Sequence, residues 1–345
     1  GEREAISLRE KVTEIQKDLD DGIDTIGKKM TVCQLYAKQI RHRGNVRYNT
    51  KNGRKRLMKL LEEDKLGGCP IDSVKLSDAK EWAIRMKEKG ISYKTISNDK
   101  RSLKAAFYTA IQDDCIRKNP FDFQLNTVIE DDTEPKVPLT PAQEESFLSF
   151  AQNDKVYQKY YDELIILLGT GLRISELCGL TDTDINFENR IINVDHQLLR
   201  SAETGYYIET PKTKSGIRQI PMSEKVYEAF NRVLKRRRGA KAVTIDGYSN
   251  FLFLNRDGYP KTATNYDGMF RGLAKKYNKY HEEALPKVMT PHTLRHTFCT
   301  NMANAGMNPK ALQYIMGHSN ITMTLNYYAH ATFDSAKAEM LRIAA

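Results

Sequence analysis

The chain has 345 residues, 40 % hydrophobic and 28 % charged, and its 54 Lys plus Arg outweigh 44 Asp plus Glu for a formal charge of +10. That length suits about two domains with cores of their own, and the composition excludes global disorder. No apolar run approaches the roughly 20 residues that span a bilayer, and the charged start Gly1-Glu2-Arg3-Glu4 lacks the apolar region of a signal peptide.

Residues 1–20 carry Ala5, Ile6, Leu8, Val12, Ile15 and Leu19 at near-helical spacing, ended by Asp20-Asp21-Gly22. A second helix is predicted from Thr31, with Val32, Leu35 and Ile40 facing inward. More follow near 50–63, 77–89, 94–114 and 142–153. Ser77-Asp78 offers N-cap chemistry for the helix over 77–89. In 94–114, Ile96, Leu103, Ala106 and Phe107 form a core face and leave Lys94, Lys100, Arg101 and Lys104 to another. Between 125 and 141 the pattern fails, and Glu130-Asp131-Asp132-Thr133-Glu134-Pro135-Lys136-Val137-Pro138 reads as a linker. A helix from Tyr160 to about Gly169 follows it. Three short strand-like runs come next: Arg190–Val194, Tyr206–Thr210 and Arg218–Pro221. Helical patterns then resume from Ser223 to the end. The expected fold is mainly α with a small antiparallel β-meander. Its divisions are residues 1–29, a helical domain 30–124, the linker 125–141 and a second domain 142–345.

Charge is uneven along the chain. Residues 31–120 hold 21 Lys plus Arg against 10 acidic residues, whereas 121–150 hold 1 against 7. The basic block peaks at Arg41, Arg43, Arg47, Lys51, Arg54, Lys55, Arg56 and Lys59, with no carboxylate among them. Such density points to a polyanion-binding surface, and the interleaved Tyr48, Asn49, Thr50 and Asn52 suit nucleic acid better than membrane. Cys33, Cys69, Cys115, Cys178 and Cys299 are odd in number and far apart, with no C-x-x-C pair. Neither a disulfide framework nor a structural zinc site is expected, and a reduced cytoplasmic protein is. The acidic residues of the linker lack a scaffold for metal geometry.

The second domain places polar residues where apolar ones are usual. Arg173 follows a very apolar helix within Gly169-Thr170-Gly171-Leu172-Arg173-Ile174-Ser175-Glu176-Leu177. Lys212 and Lys214 lie in a turn between strands. His292 and Arg295 share one helix face at i and i+3. Gly317-His318 precedes Asn326-Tyr327-Tyr328-Ala329-His330 by about ten residues. Each has an ordinary explanation alone: a helix cap, hairpin solvation, a bonded histidine, a core aromatic. Together, two arginines, a lysine and two histidines are the fixed positive donors that a phosphodiester transition state needs. A tyrosine adds an oxygen nucleophile. No G-x-x-x-x-G-K-[ST] loop or H-E-x-x-H pair offers a competing phosphate chemistry.

The order Arg, Lys, His-x-x-Arg, Gly-His, Tyr resembles the tyrosine recombinase (phage-integrase) family, nearest to integrases of bacterial conjugative transposons. T-G-L-R-I-S-E-L, P-H-T-L-R-H-T, L-Q-Y-I-M-G-H-S and the stretch Asp246–Leu254 carry the likeness. The resemblance implies a DNA recombinase that excises and inserts a mobile element through a 3′-phosphotyrosyl intermediate and Holliday-junction strand exchange. It implies that Arg173, His292, Arg295 and His318 hold the scissile phosphate and that Tyr328 attacks it. It also implies that Lys212, or Lys214 in its stead, protonates the departing 5′ oxygen and that Glu176 orients the site. It further implies a core-binding domain using Arg41, Arg43, Arg47, Lys51, Arg54, Lys55, Arg56, Lys94, Lys100, Arg101 and Lys104, with both domains clamping the duplex. Residues 1–29 would be a connector following an arm-binding domain absent from this sequence. Expected partners are double-stranded DNA at element ends and target sites, a DNA-bending factor, and three further copies in a tetramer on DNA. Residues 333–343, amphipathic through Ala336, Met340 and Ile343, would link those copies. No metal, ATP or organic cofactor is implied. Two other readings remain: a type IB topoisomerase, which would relax plasmids lacking recombination sites, and a non-catalytic DNA-binding regulator, which would lack the nucleophile.

Overall fold

The computed structural model describes residues 12–13, 16, 27–44, 46–134, 137–211, 213–237, 243–328 and 340–341. The expected helix over 1–20, the connector 1–29 and the segment 333–343 therefore fall largely outside the described residues, and Lys212 falls outside them entirely. The chain divides into two compact units, Gly1–Pro135 and Lys136–Ala345.

In the first unit, α1 (Val32–His42) starts at Thr31 with a reciprocal cap. Gln34 N donates to Thr31 Oγ1 at 3.2 Å, and Thr31 N donates to Gln34 Oε1 at 2.9 Å. Helix α2 (Tyr48–Glu62) buries Leu57 and Leu61 and turns most of its basic residues outward. Helix α3 (Leu76–Glu88) starts differently from the Ser77 cap expected: Asp78 reaches back to accept from Lys75 N at 2.8 Å. The Ser92 hydroxyl caps α4 (Tyr93–Gln112). The core gathers Leu35, Leu57, Leu61, Trp82, Leu103, Phe107 and Phe121, with Phe121 edge-on to Trp82 at 5.8 Å. Leu125 and Ile129 join this core, so the start of the stretch read as linker packs as part of the unit. The reason is local: the acidic, proline-bearing run begins at Glu130, and Leu125, Val128 and Ile129 before it supply apolar side chains to the core.

The second unit is built on α6 (Tyr161–Thr170), which packs against α8 (Glu224–Arg237) and α10 (Pro291–Asn304). Leu164, Ile166 and Leu167 meet Val226, Phe230, Phe270 and Leu294 in its main core. The other helices are α5 (Pro141–Asn153), α7 (Ile174–Gly179), α9 (Ala263–Tyr280), α11 (Pro309–Met316) and α12 (Thr322–Leu325). The strands make two antiparallel sheets in place of one meander. Strands β1 (Ile185–Asn186), β2 (Ile191–Val194) and β5 (Arg218–Pro221) form one, with Ile192 opposite Ile220. Strands β3 (Gln197–Ser201) and β4 (Gly205–Glu209) form a separate hairpin. The β3 segment, Gln197-Leu198-Leu199-Arg200-Ser201, has no β-branched or aromatic residue, which hid the partner of β4. A smaller cluster of Phe298, Cys299, Leu312 and Met316 joins α10 to α11, and Tyr327 and Tyr328 pack on it. Among the described residues no helix is long and apolar enough to cross a membrane.

Candidate active site

Two left-handed glycine turns build the site. Gly171 ends α6 at φ +63°, and Gly317 ends α11 at φ +61°. Each carries an arginine-binding carbonyl. Arg295 Nη1 donates to Gly171 O at 2.5 Å, and its Nη2 donates to Met316 O. Arg173 Nη2 donates to Gly317 O at 3.0 Å. Arg173 itself stands at the N-cap of α7, where the Glu176 carboxylate accepts from both its backbone N (2.8 Å) and its Nη1 (2.7 Å). Turn, cap and guanidinium are thus locked by one another.

A third arginine, which the sequence reading did not single out, lies behind these two. Arg218 Nη1 and Nη2 donate to the two Glu176 oxygens at 3.1 and 2.9 Å. One buried carboxylate therefore faces three guanidinium groups. Burial pushes the Glu176 carboxyl up, but Arg218, Arg173 and Arg295 outweigh it and hold the group down at about 2. Arg295 is pushed down to about 9, first by burial and then by the charge of Arg173. Positive charge exceeds negative charge in a desolvated place, an arrangement that an entering anion relieves.

His318 is buried beside this cluster, its Nδ1 bonded to the buried Thr324 Oγ1 at 2.9 Å. Burial, then Arg295, Arg173, Arg218 and His292, push the ring down to about 4, so it is neutral near pH 7. His292 sits exposed in the first turn of α10, close enough for its charge to act on His318. Arg173, Arg295, His292 and His318 thus come together. Lys214 is exposed at the start of the turn Lys214–Gly216.

The two tyrosine hydroxyls meet different partners. The Tyr328 hydroxyl donates to Met307 O at 2.5 Å, and burial and Cys299 raise its pKa. Tyr327, packed on the same small cluster, bonds His296 Nδ1 at 3.0 Å and feels the Arg295 charge, although burial still raises its pKa. Neither phenol is ionised by these surroundings.

In the first unit, several of the cations read as DNA-facing have partners within the chain. Arg56 Nη2 bonds the buried Asp99 carboxylate at 2.5 and 2.8 Å. Lys100 donates to Phe123 O at 2.5 Å and lies over the Phe123 ring, and Lys104 donates to Asp122 at 2.5 Å. Arg41, Arg43, Lys51, Lys55, Lys94 and Arg101 are exposed, and Arg47 and Arg54 are half-buried. Among the described residues, Asp184, Asp195 and His196 form a cluster of possible metal ligands. Both ring nitrogens of His196 are already engaged, by Asp195 at 2.5 Å and by Gly179 O at 2.8 Å.

The pattern of the phage integrase family matches residues 138–335. The chain is 68 % identical over 343 residues to the transposase of transposon Tn916 from Enterococcus faecalis, covering 99 % of this chain and 84 % of that relative. It is 26 % identical over 265 residues to tyrosine recombinase XerC of Bacillus subtilis (strain 168), covering 77 % of this chain and 78 % of that one. Among solved structures, the Tn1549 transposon integrase in complex with a circular intermediate DNA superposes with a TM-score of 0.87 at 78 % identity. That match covers 91 % of this chain and 99 % of the other. The same integrase with transposon right end DNA gives 0.86, also at 78 % identity, covering 92 % and 100 %. A lambda integrase dimer on a core site, 16 % identical with a TM-score of 0.59 over 86 % of this chain and 76 % of that one, shares the fold.

Proposed function

Because the chain belongs to the phage integrase family of tyrosine recombinases, which cleave and rejoin DNA strands, we propose that it excises and inserts a transposon by attack of Tyr328 on DNA phosphodiesters. The observation that carries the site assignment is the cluster of Arg173, Arg218 and Arg295 around the single carboxylate of Glu176. Arg173 and Arg295 take the two non-bridging oxygens of the scissile phosphate, and His292 and the neutral His318 add hydrogen bonds as charge develops. The Tyr328 oxygen bonds phosphorus as the bond to the 5′ oxygen breaks. The phenol proton leaves toward His292 or His318, and Lys212, with Lys214 as the alternative, protonates the 5′ oxygen. Attack requires the Tyr328 hydroxyl to leave Met307 O. The phosphotyrosyl bond retains the energy of the bond it replaces, so rejoining needs no nucleotide. Residues 41–59 and 94–104 supply the sequence-independent grip of the first unit.

Strand exchange joins two duplexes, so the working assembly is a tetramer on DNA in the bacterial cytoplasm, with residues 333–343 linking subunits and a bending factor assisting. The Tn1549 integrase, 78 % identical, was solved with circular intermediate and transposon end DNA, which supports the same class of substrate here. The test is incubation with a nicked suicide substrate and a denaturing gel. A protein–DNA adduct is expected, and its absence with a matched transposon end would overturn the reading.

A further inference from the structure

Strand β5 alternates strictly, with Arg218 and Ile220 inward and Gln219 and Pro221 outward. The alternation carries the Arg218 guanidinium into the interior, where its side chain is fully buried. Its donors are spread over three chain segments. Nε donates to Ile315 O at 2.6 Å, Nη1 to Gly216 O and Glu176 Oε1 at 3.1 Å each, and Nη2 to Glu176 Oε2 at 2.9 Å. Each acceptor belongs to a segment that carries a site residue. Ile315 lies in the last turn before Gly317-His318. Gly216 closes the turn that holds Lys214. Glu176 holds Arg173. Contact is close enough that a Cβ on Gly317 would meet Arg218 Nη1 at 3.1 Å and Ser215 O at 3.1 Å, so the histidine turn and the lysine turn are packed through this guanidinium.

We infer that Arg218 is a positioning residue for strand cleavage: through Glu176 it aims Arg173, and through two carbonyls it keeps the lysine and His318 turns in register with it. The inference rests on the reading of Arg173 as a phosphate clamp. Stability is a poor reason for such a pair, because a buried ion pair gains little over well-packed apolar residues. Geometry is a better one, since the planar fork can hold two carboxylate oxygens and two carbonyls at once and a lysine cannot. The groups facing Glu176 are Arg173 from the start of α7, Arg218 from β5 and Arg295 from α10. Without Arg218, burial acts on this carboxyl against two guanidinium groups instead of three, and it takes up a proton at a higher pH.

The experiment compares Arg218→Met, Arg218→Lys and Arg173→Ala on a nicked suicide substrate across a range of pH, with DNA binding and thermal melting measured alongside. Both Arg218 variants should bind DNA within roughly twofold of the parent and cleave on the order of 10–100-fold more slowly, the usual loss when the partner that orients a reactive group is removed. The rate of Arg218→Met, which removes the charge, should also fall away at a higher pH on the acid side than the parent's. If Arg218→Met does not fold, Arg218→Lys, which keeps the charge, decides. Parent-like cleavage by Arg218→Lys would overturn the inference, as would a loss in Arg218→Met that is uniform across pH and tracks melting temperature. Parent-like cleavage by Arg173→Ala would instead remove the clamp reading on which the inference stands.

Discussion

Tyr328 and Tyr327 are neighbours whose hydroxyls meet different partners, Met307 O and the His296 ring. Removing the Tyr328 hydroxyl costs one part-buried hydrogen bond, so Tyr328→Phe should fold and bind DNA like the parent and form no adduct. Tyr327→Phe should still form one, and peptide mapping of the trapped complex checks both; a nucleotide on Tyr327 would reverse the assignment. His318 gives a second prediction. Its folded pKa, pushed down to about 4, lies below the ordinary value of 6.5, so the unfolded chain takes the proton first as pH falls. Stability from the neutral ring is complete above about pH 6.5 and declines toward pH 4. His318→Gln should flatten that part of the dependence, read as melting temperature between pH 7.5 and 5. A phosphate seated among the arginines would offset their field, so a bound DNA end should raise the His318 pKa in imidazole NMR titrations.

Helix α2 shows how one element serves two purposes. Leu57 and Leu61 anchor it, Arg56 ties it to Asp99 on α4, and Lys51, Lys55 and Lys59 face solvent. Basic density alone does not distinguish a cation that holds the fold from one that holds DNA. Substituting Arg47, Lys51 and Arg54 by Ala should flatten the slope of log affinity against log salt by up to about 3. An unchanged slope would put the DNA surface elsewhere. Arg56→Ala should act on stability instead. It leaves a carboxylate that is 5 % exposed without its guanidinium, at a cost on the order of 1–3 kcal/mol, measurable by urea unfolding. Lys100 and Lys104 sit on the same helix face read from the sequence as open. Asp122 and the Phe123 carbonyl cover it because the chain returns there after α4.

For the whole molecule, metal-free chemistry is the testable consequence of the arginine cluster. Cleavage of the suicide substrate should proceed in EDTA, and Arg173→Ala should lower its rate by on the order of 10²–10³, the loss expected for one donor to developing charge. Strict dependence on Mg²⁺ would defeat the mechanism. Tetramer formation should appear by crosslinking on DNA bearing two ends, and should fail when residues 333–343 are removed. The residues proposed to hold the phosphate were legible in the sequence because each sits in a short motif with a local cause. A glycine turn follows an apolar helix at Gly171, a histidine and an arginine share a helix face at His292 and Arg295, and a glycine precedes His318. The helices were legible for the same reason, since a 3.6-residue period lies within one segment. Only the tertiary structure decided that Arg218 stands behind Glu176 across 42 residues, and that Arg295 closes on Gly171 across 124. Such contacts depend on where distant segments are brought together by the cores, and no local period records that. The parity of β5 came nearest to a signal: with Ile220 turned inward, Arg218 two residues before it had to turn inward as well.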